Sequence, residues 1–210
     1  MNNLLPNEGT KTIYSQARPI FLQINSAREK YKPERIKLLF IAEAPPEQTE
    51  RFFYYEKVKD NDWLFLGIVK VLCGNGSYDA KKIRANKKQI LETLQQDGIY
   101  LMDLYPVPLK PEFLVEIDTE SCKNDLMQTL EAEKAVDKHS TNIVLIKVNV
   151  YDCLYRDLKN KNYKVQDKRI SFPSSGGQKD FAEKMKKALE EIKYTPSENM
   201  KRIKELISKG

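Results

Sequence analysis

Only three cysteines and one histidine occur among the 210 residues. Cys73, Cys122 and Cys153 lie far apart, with no C-x-x-C pair and no Cys/His cluster, so no zinc site is indicated and no metal or other cofactor is expected. An odd, scattered set of thiols reads as buried free cysteines in a reducing compartment. No stretch approaches the roughly 20 apolar residues of a membrane span. Met1-Asn2-Asn3-Leu4-Leu5-Pro6 lacks the basic start and apolar core of a secretion signal, so the expected location is the cytoplasm. A G-x-G-x-x-G or Walker A loop is also missing, which counts against a nucleotide-binding protein. The one histidine, His139, sits at a helix end, where interaction with the helix C-terminus is a sufficient role. Catalysis through histidine is therefore not expected.

What is present reads as a globular domain. Hydrophobic residues make up 40% and charged residues 31% of the chain. The length fits a single domain over 1–210, with 1–16 as an N-terminal extension and 195–210 as a C-terminal helical tail. A net charge of +6 and a pI near 9.0 allow a nucleic-acid partner without demanding one.

Apolar runs alternate with helical patterns. Helices are expected over 17–31, 62–73, 79–97, 119–138, 151–160, 178–193 and 196–208. Strands are expected at 36–41, 99–105, 142–149 and 163–171. The alternation predicts an α/β fold, a three-layer αβα sandwich around a four-stranded parallel sheet. Ligands of such sheets bind outside the carboxyl ends of the strands. Four polar residues fall there: Glu43, Asp103, Asn149 and Ser174.

Ile41-Ala42-Glu43-Ala44-Pro45-Pro46-Glu47 resembles the first motif of the uracil-DNA glycosylase superfamily, a strand running into a Gly-acid-x-Pro turn. Phe172-Pro173-Ser174 resembles its second motif, usually His-Pro-Ser, ahead of the last major helix. Ile99 to Tyr105 resembles the strand whose end carries the uracil-reading Asn. The order and spacing match over roughly 35–190. Four positions depart from the pattern: Ala42 for Gly, Pro46 for Gly or Tyr, Asp103 for Asn and Phe172 for His.

The resemblance implies a DNA glycosylase that flips a pyrimidine and hydrolyses its N-glycosidic bond, acting as a monomer on DNA. Glu43 is the candidate catalytic carboxylate, placed to stabilise oxocarbenium character and orient water. Phe53 is the candidate for stacking on the extruded base, with Asp103, Ala44 and Asn149 as further base contacts. Pro45, Pro46, Arg51, Ser174, Ser175, Gly176, Lys168 and Lys179 are candidates for the DNA backbone. Among these, the Ser-Ser-Gly-Gly turn before a helix suits a phosphate. Lys57, Lys59 and Arg169 flank the same mouth. An ionised Asp103 accepts hydrogen bonds only, which favours a cytosine-like amine over uracil. Sparing ordinary cytosine then requires a base modification, and a role in defence against phage with modified DNA follows. The competing reading is an inactive relative that binds nucleic acid or a protein, which Phe172 in place of His favours.

Overall fold

The computed structural model describes residues 17–74, 76–114, 117–174 and 176–209. Four short strands make one sheet: β1 (Leu38–Ala42), β2 (Ile99–Asp103), β3 (Asn142–Leu145) and β4 (Lys164–Val165). All pairings are parallel and the order is β2-β1-β3-β4. In the central strand Phe40 stands between Leu101 and Val144. All five β1 residues are buried, as an unbroken apolar run requires when both faces of its strand are covered. The sheet is thus compatible with the expected three layers.

The helices are α1 (Arg18–Lys30), α2 (Trp63–Leu72), α3 (Ala80–Ala85), α4 (Lys87–Gln96), α5 (Pro111–Leu114), α6 (Thr119–Ala132), α7 (Val148–Asn160), α8 (Gln178–Glu191) and α9 (Glu198–Ile207). Three starts are fixed by side-chain caps: Asp79 accepts from the Lys81 amide, Asp118 from Ser121 and Ser197 from Met200. Gly67 of α2 lies where a Cβ would come 2.9 Å from Cε1 of Phe181, so its bare backbone lets α2 close onto α8.

Several expected boundaries move. The helix expected over 79–97 divides at Asn86, which ends α3 and opens α4. The break delivers Lys87 into the interior, where its ammonium lies 3.7 Å from Asp62 and 4.2 Å from the Phe65 ring centroid. The helix expected to reach 138 stops at Ala132, because Val136 turns back to bridge Ile36 in parallel. The strand expected over 142–149 ends at Leu145, and α7 begins earlier than expected, at Val148. The strand expected over 163–171 shrinks to two residues, followed by an isolated bridge between Ile146 and Ile170. The expected helical tail holds α9 over Glu198–Ile207 and packs onto the domain: Met200, Ile203 and Ile207 are buried and Ser208 bridges Tyr78. The expected N-terminal extension, 1–16, lies outside the described residues.

β2 is an edge strand, and its outer side meets Tyr54. The Tyr54 hydroxyl accepts from the Leu101 amide at 2.7 Å and donates to the Leu101 carbonyl at 3.1 Å. Tyr54 sits in an aromatic group with Tyr31, Phe52, Phe53 and Tyr100. Among the described residues no helix is long and apolar enough to cross a membrane.

Candidate functional site

The strand order locates the crevice. The chain leaves β1 toward β2 on one side and leaves β3 toward β4 on the other. Loops that diverge in this way open a cleft between the carboxyl ends of β1 and β3, the place where open α/β sheets hold ligands.

Glu43 follows β1 directly and Lys147 follows β3 by two residues. The Lys147 ammonium and the Asn149 amide both donate to the Glu43 carboxylate, one to each oxygen. Asn149 lies in the first turn of α7, and its Oδ1 accepts from the Val150 amide at 3.0 Å. The Glu43 side chain keeps 19% exposure, so the carboxylate is held yet open. Backbone bonds fix its base: Glu43 O accepts from the Tyr105 amide at 2.8 Å, and Ile41 O from Ile146 at 2.8 Å.

Lys147 has φ 89° and ψ 137°, a conformation that L residues rarely adopt. A strained non-glycine residue persists only where its surroundings over-determine it, and such residues gather at functional sites. The surroundings here are the Glu43 ion pair and a 2.8 Å bond from the Lys147 amide to Ile170 O. Lys147 is absent from the residues expected on sequence grounds. The available signal was a cation immediately past an apolar strand, on the same end of the sheet as Glu43.

The other expected residues separate into three groups. Pro45 is buried, Ala44 and Pro46 are half-buried, and all three belong to the turn that carries Glu43. On the surface, Arg51 pairs with Asp60 at 3.3 Å and Lys168 with Glu191 at 2.7 Å, while Lys57, Lys59 and Lys179 are exposed and make no ion pair among the described residues. Ser174 is exposed, and Gly176 takes φ +86° on the way into α8, whose first turn has no side-chain cap. Ser175 lies outside the described residues.

Phe53 and Asp103 are corrections. Phe53 is 5% exposed, locked edge-on between Phe65 and Tyr54, so its ring belongs to the core rather than to an open stacking face. The Asp103 side chain is 2% exposed and bonds Arg28 of α1 at 2.5 Å. Its position at the end of β2 is as expected, but its charge is committed to a buried guanidinium 75 residues away in sequence. An extruded base would have to displace Arg28 to reach it.

That burial has a measurable consequence. Desolvation raises the Asp103 carboxyl to about 6, against the opposing pull of Arg28. The folded chain therefore keeps this proton where the unfolded chain has lost it. Stability from Asp103 is fully present below about pH 4 and is lost as pH rises toward 6. Asp103→Asn, which cannot titrate, should gain on the wild type by up to ~3 kcal/mol between pH 4 and 6. Urea unfolding of both proteins at the two pH values measures the difference; parallel pH curves would overturn the assignment.

Two of the four large apolar side chains exposed among the described residues, Val148 and Phe172, stand beyond the carboxyl ends of the strands. Cys73 and Cys122 are buried free thiols, pushed up by desolvation to about 12 and about 11, and Cys153 is half-buried. His139 is exposed, at the opposite end of β3 from the crevice. Comparison with known proteins returns no match among family models, curated proteins or solved structures.

Proposed function

We propose that this chain is a DNA glycosylase with a uracil-DNA glycosylase-like fold, hydrolysing the N-glycosidic bond of a pyrimidine turned out of the DNA into the crevice between β1 and β3. The observation that carries the reading is the Glu43 carboxylate, held at the strand-order reversal by Lys147 and Asn149. In this reaction the C1′–N bond breaks and its electron pair leaves with the base. Water adds to C1′, and its proton passes through Glu43 to the departing base. A fixed carboxylate stabilises the cationic sugar and orients that water. The Lys147 ammonium beside it favours the anion of the leaving base.

The rim supports this reading. Exposed Val148 and Phe172 offer apolar contact to bases, and side chains of this kind insert between base steps when a duplex is opened. With Asp103 buried, a preference for cytosine over uracil has no residue to carry it. The activity test therefore spans base types. Oligonucleotides carrying uracil, hypoxanthine or a C5-substituted cytosine are incubated with the full chain and then cleaved at abasic sites. A strand break at the marked base supports the reading, and intact strands on every substrate overturn it.

Affinity for DNA should fall with salt. If a few of Lys57, Lys59, Lys179 and the paired Arg51 and Lys168 meet phosphates, log K against log salt has a slope of about −2 to −5. Fluorescence anisotropy over a salt series gives the slope, and a flat line would point to a protein partner instead.

A further inference from the structure

The crevice accounts for only the first turn of α7. Beyond Asn149 the helix carries Tyr151 and Tyr155, four residues apart and so on one face. Their rings stack with centroids 4.5 Å apart and planes 14° from parallel. Arg169 lies 5.4 Å from the Tyr151 centroid and Lys159 lies 5.5 Å from that of Tyr155. One acid fixes the group: Asp167 accepts from the Tyr155 hydroxyl at 2.7 Å and pairs with Lys159 at 2.8 Å, while its carbonyl accepts from Tyr151 at 3.3 Å.

Charge is concentrated here. Residues 147–169 hold seven Lys or Arg against three Asp, so four of the six net positive charges of the chain fall in this segment. Five of the seven are ion-paired, Lys147 with Glu43, Lys159 with Asp167, Lys161 with Glu131, Lys168 with Glu191 and Arg169 with Asp152, and Arg156 and Lys164 make no ion pair among the described residues. A rigid pair of aromatic rings within a cationic surface is what an unpaired nucleic-acid strand requires: ring faces for bases, cations for phosphates. In a duplex the base faces are already stacked on one another and gain nothing from such rings.

From these features we infer that the α7 face, over Tyr151 and Tyr155, is a track for single-stranded DNA leading out of the crevice. The inference rests on the glycosylase reading of Glu43, whose target base must have neighbours. From Asn149 to Tyr155 the helix rises about 9 Å, the length of two to three stacked nucleotides at ~3.4 Å each. Both tyrosines are half-buried and pack in part against the core; a base arriving on an outer ring face replaces a cation–π contact with a stacking contact. Arg169, ion-paired with Asp152 at 2.6 Å, or Lys159, ion-paired with Asp167, then exchanges its carboxylate for the adjoining phosphate. The substrate is accordingly DNA that is unpaired beside the target base.

The test is binding of the full chain to labelled dT12 and to a 12-base-pair duplex, neither of which contains a target base. Tyr151→Leu/Tyr155→Leu should weaken dT12 binding at least ~10-fold and duplex binding less than ~2-fold. Exposed Arg169→Ala, which leaves the core untouched, should weaken dT12 binding ~3-fold with an unchanged melting temperature. Unchanged dT12 affinity in both variants, or equal loss on both DNAs, would overturn the track. Excision that persists with Tyr-indifferent binding defeats the track alone. Tyr-dependent dT12 binding without excision of any base defeats the glycosylase reading alone.

Discussion

Glu43→Gln should lower base release by at least ~100-fold, the scale seen when a single charge-stabilising group is removed from an active site. The amide matches the carboxylate in size; its one carbonyl oxygen can still accept from Asn149, while its NH2 leaves Lys147 without this acceptor. What it lacks is the negative charge that stabilises the sugar cation and takes the proton from water. The fold should be untouched, since Lys147 is 42% exposed and water can solvate an ammonium that loses its partner. The variant should keep its melting temperature and its affinity for dT12. Turnover on an excisable base, measured under single-turnover conditions, gives the result. Undiminished release would remove Glu43 from the mechanism.

The second large effect is on stability. Asp62→Ala is expected to destabilise the chain by ~3–5 kcal/mol, because it strips the partner from a buried charge. Neither the Asp62 nor the Lys87 side chain has measurable exposure. Arg84 donates to Asp62 at 2.8 Å, and Lys87 has only a 3.4 Å bond to the Phe52 carbonyl besides. Burial already pulls the Lys87 amine down to about 8. Losing the carboxylate leaves the ammonium among Phe52, Phe65 and little else. For a chain of this size the melting temperature should drop by ~6–20 °C. Lys87→Met added to Asp62→Ala should recover most of the loss, since an apolar side chain of similar volume often replaces a buried pair at small cost. Thermal melts of the two single variants and the double close the cycle. Additive losses would show that Lys87 and Asp62 are not coupled.

The two effects also mark where the sequence was readable. Glu43 was legible because it directly follows an apolar strand; Asn149 reads as the end of the third strand but lies in the first turn of α7, four residues beyond β3. The run at 36–41 became β1 with a shift of only one or two residues, since burial on both faces leaves no other use for it. Lys87 was not legible. It lies in a Lys-rich stretch whose solvated appearance is correct for Lys81, Lys82 and Lys88, and only the break at Asn86 turns it inward. Asp103 was placed on the right strand end, but which cation it meets there was not legible. Its partner Arg28 belongs to a helix that no local pattern ties to β2. Lys147 was missed for a third reason: its backbone conformation is imposed by tertiary contacts, and no propensity favours it in a lysine.

The Tyr54 hydroxyl on Leu101 bears on how this chain behaves among copies of itself. An edge strand with a free N–H and C=O side by side is a template on which a stranger's strand can crystallise, the first step toward fibrils and swapped dimers. At Leu101 both groups are already answered by one phenol, so an incoming strand would have to evict a buried ring to gain the same two bonds. A single side chain thus does at this edge what other proteins achieve with a charged border or a covering loop.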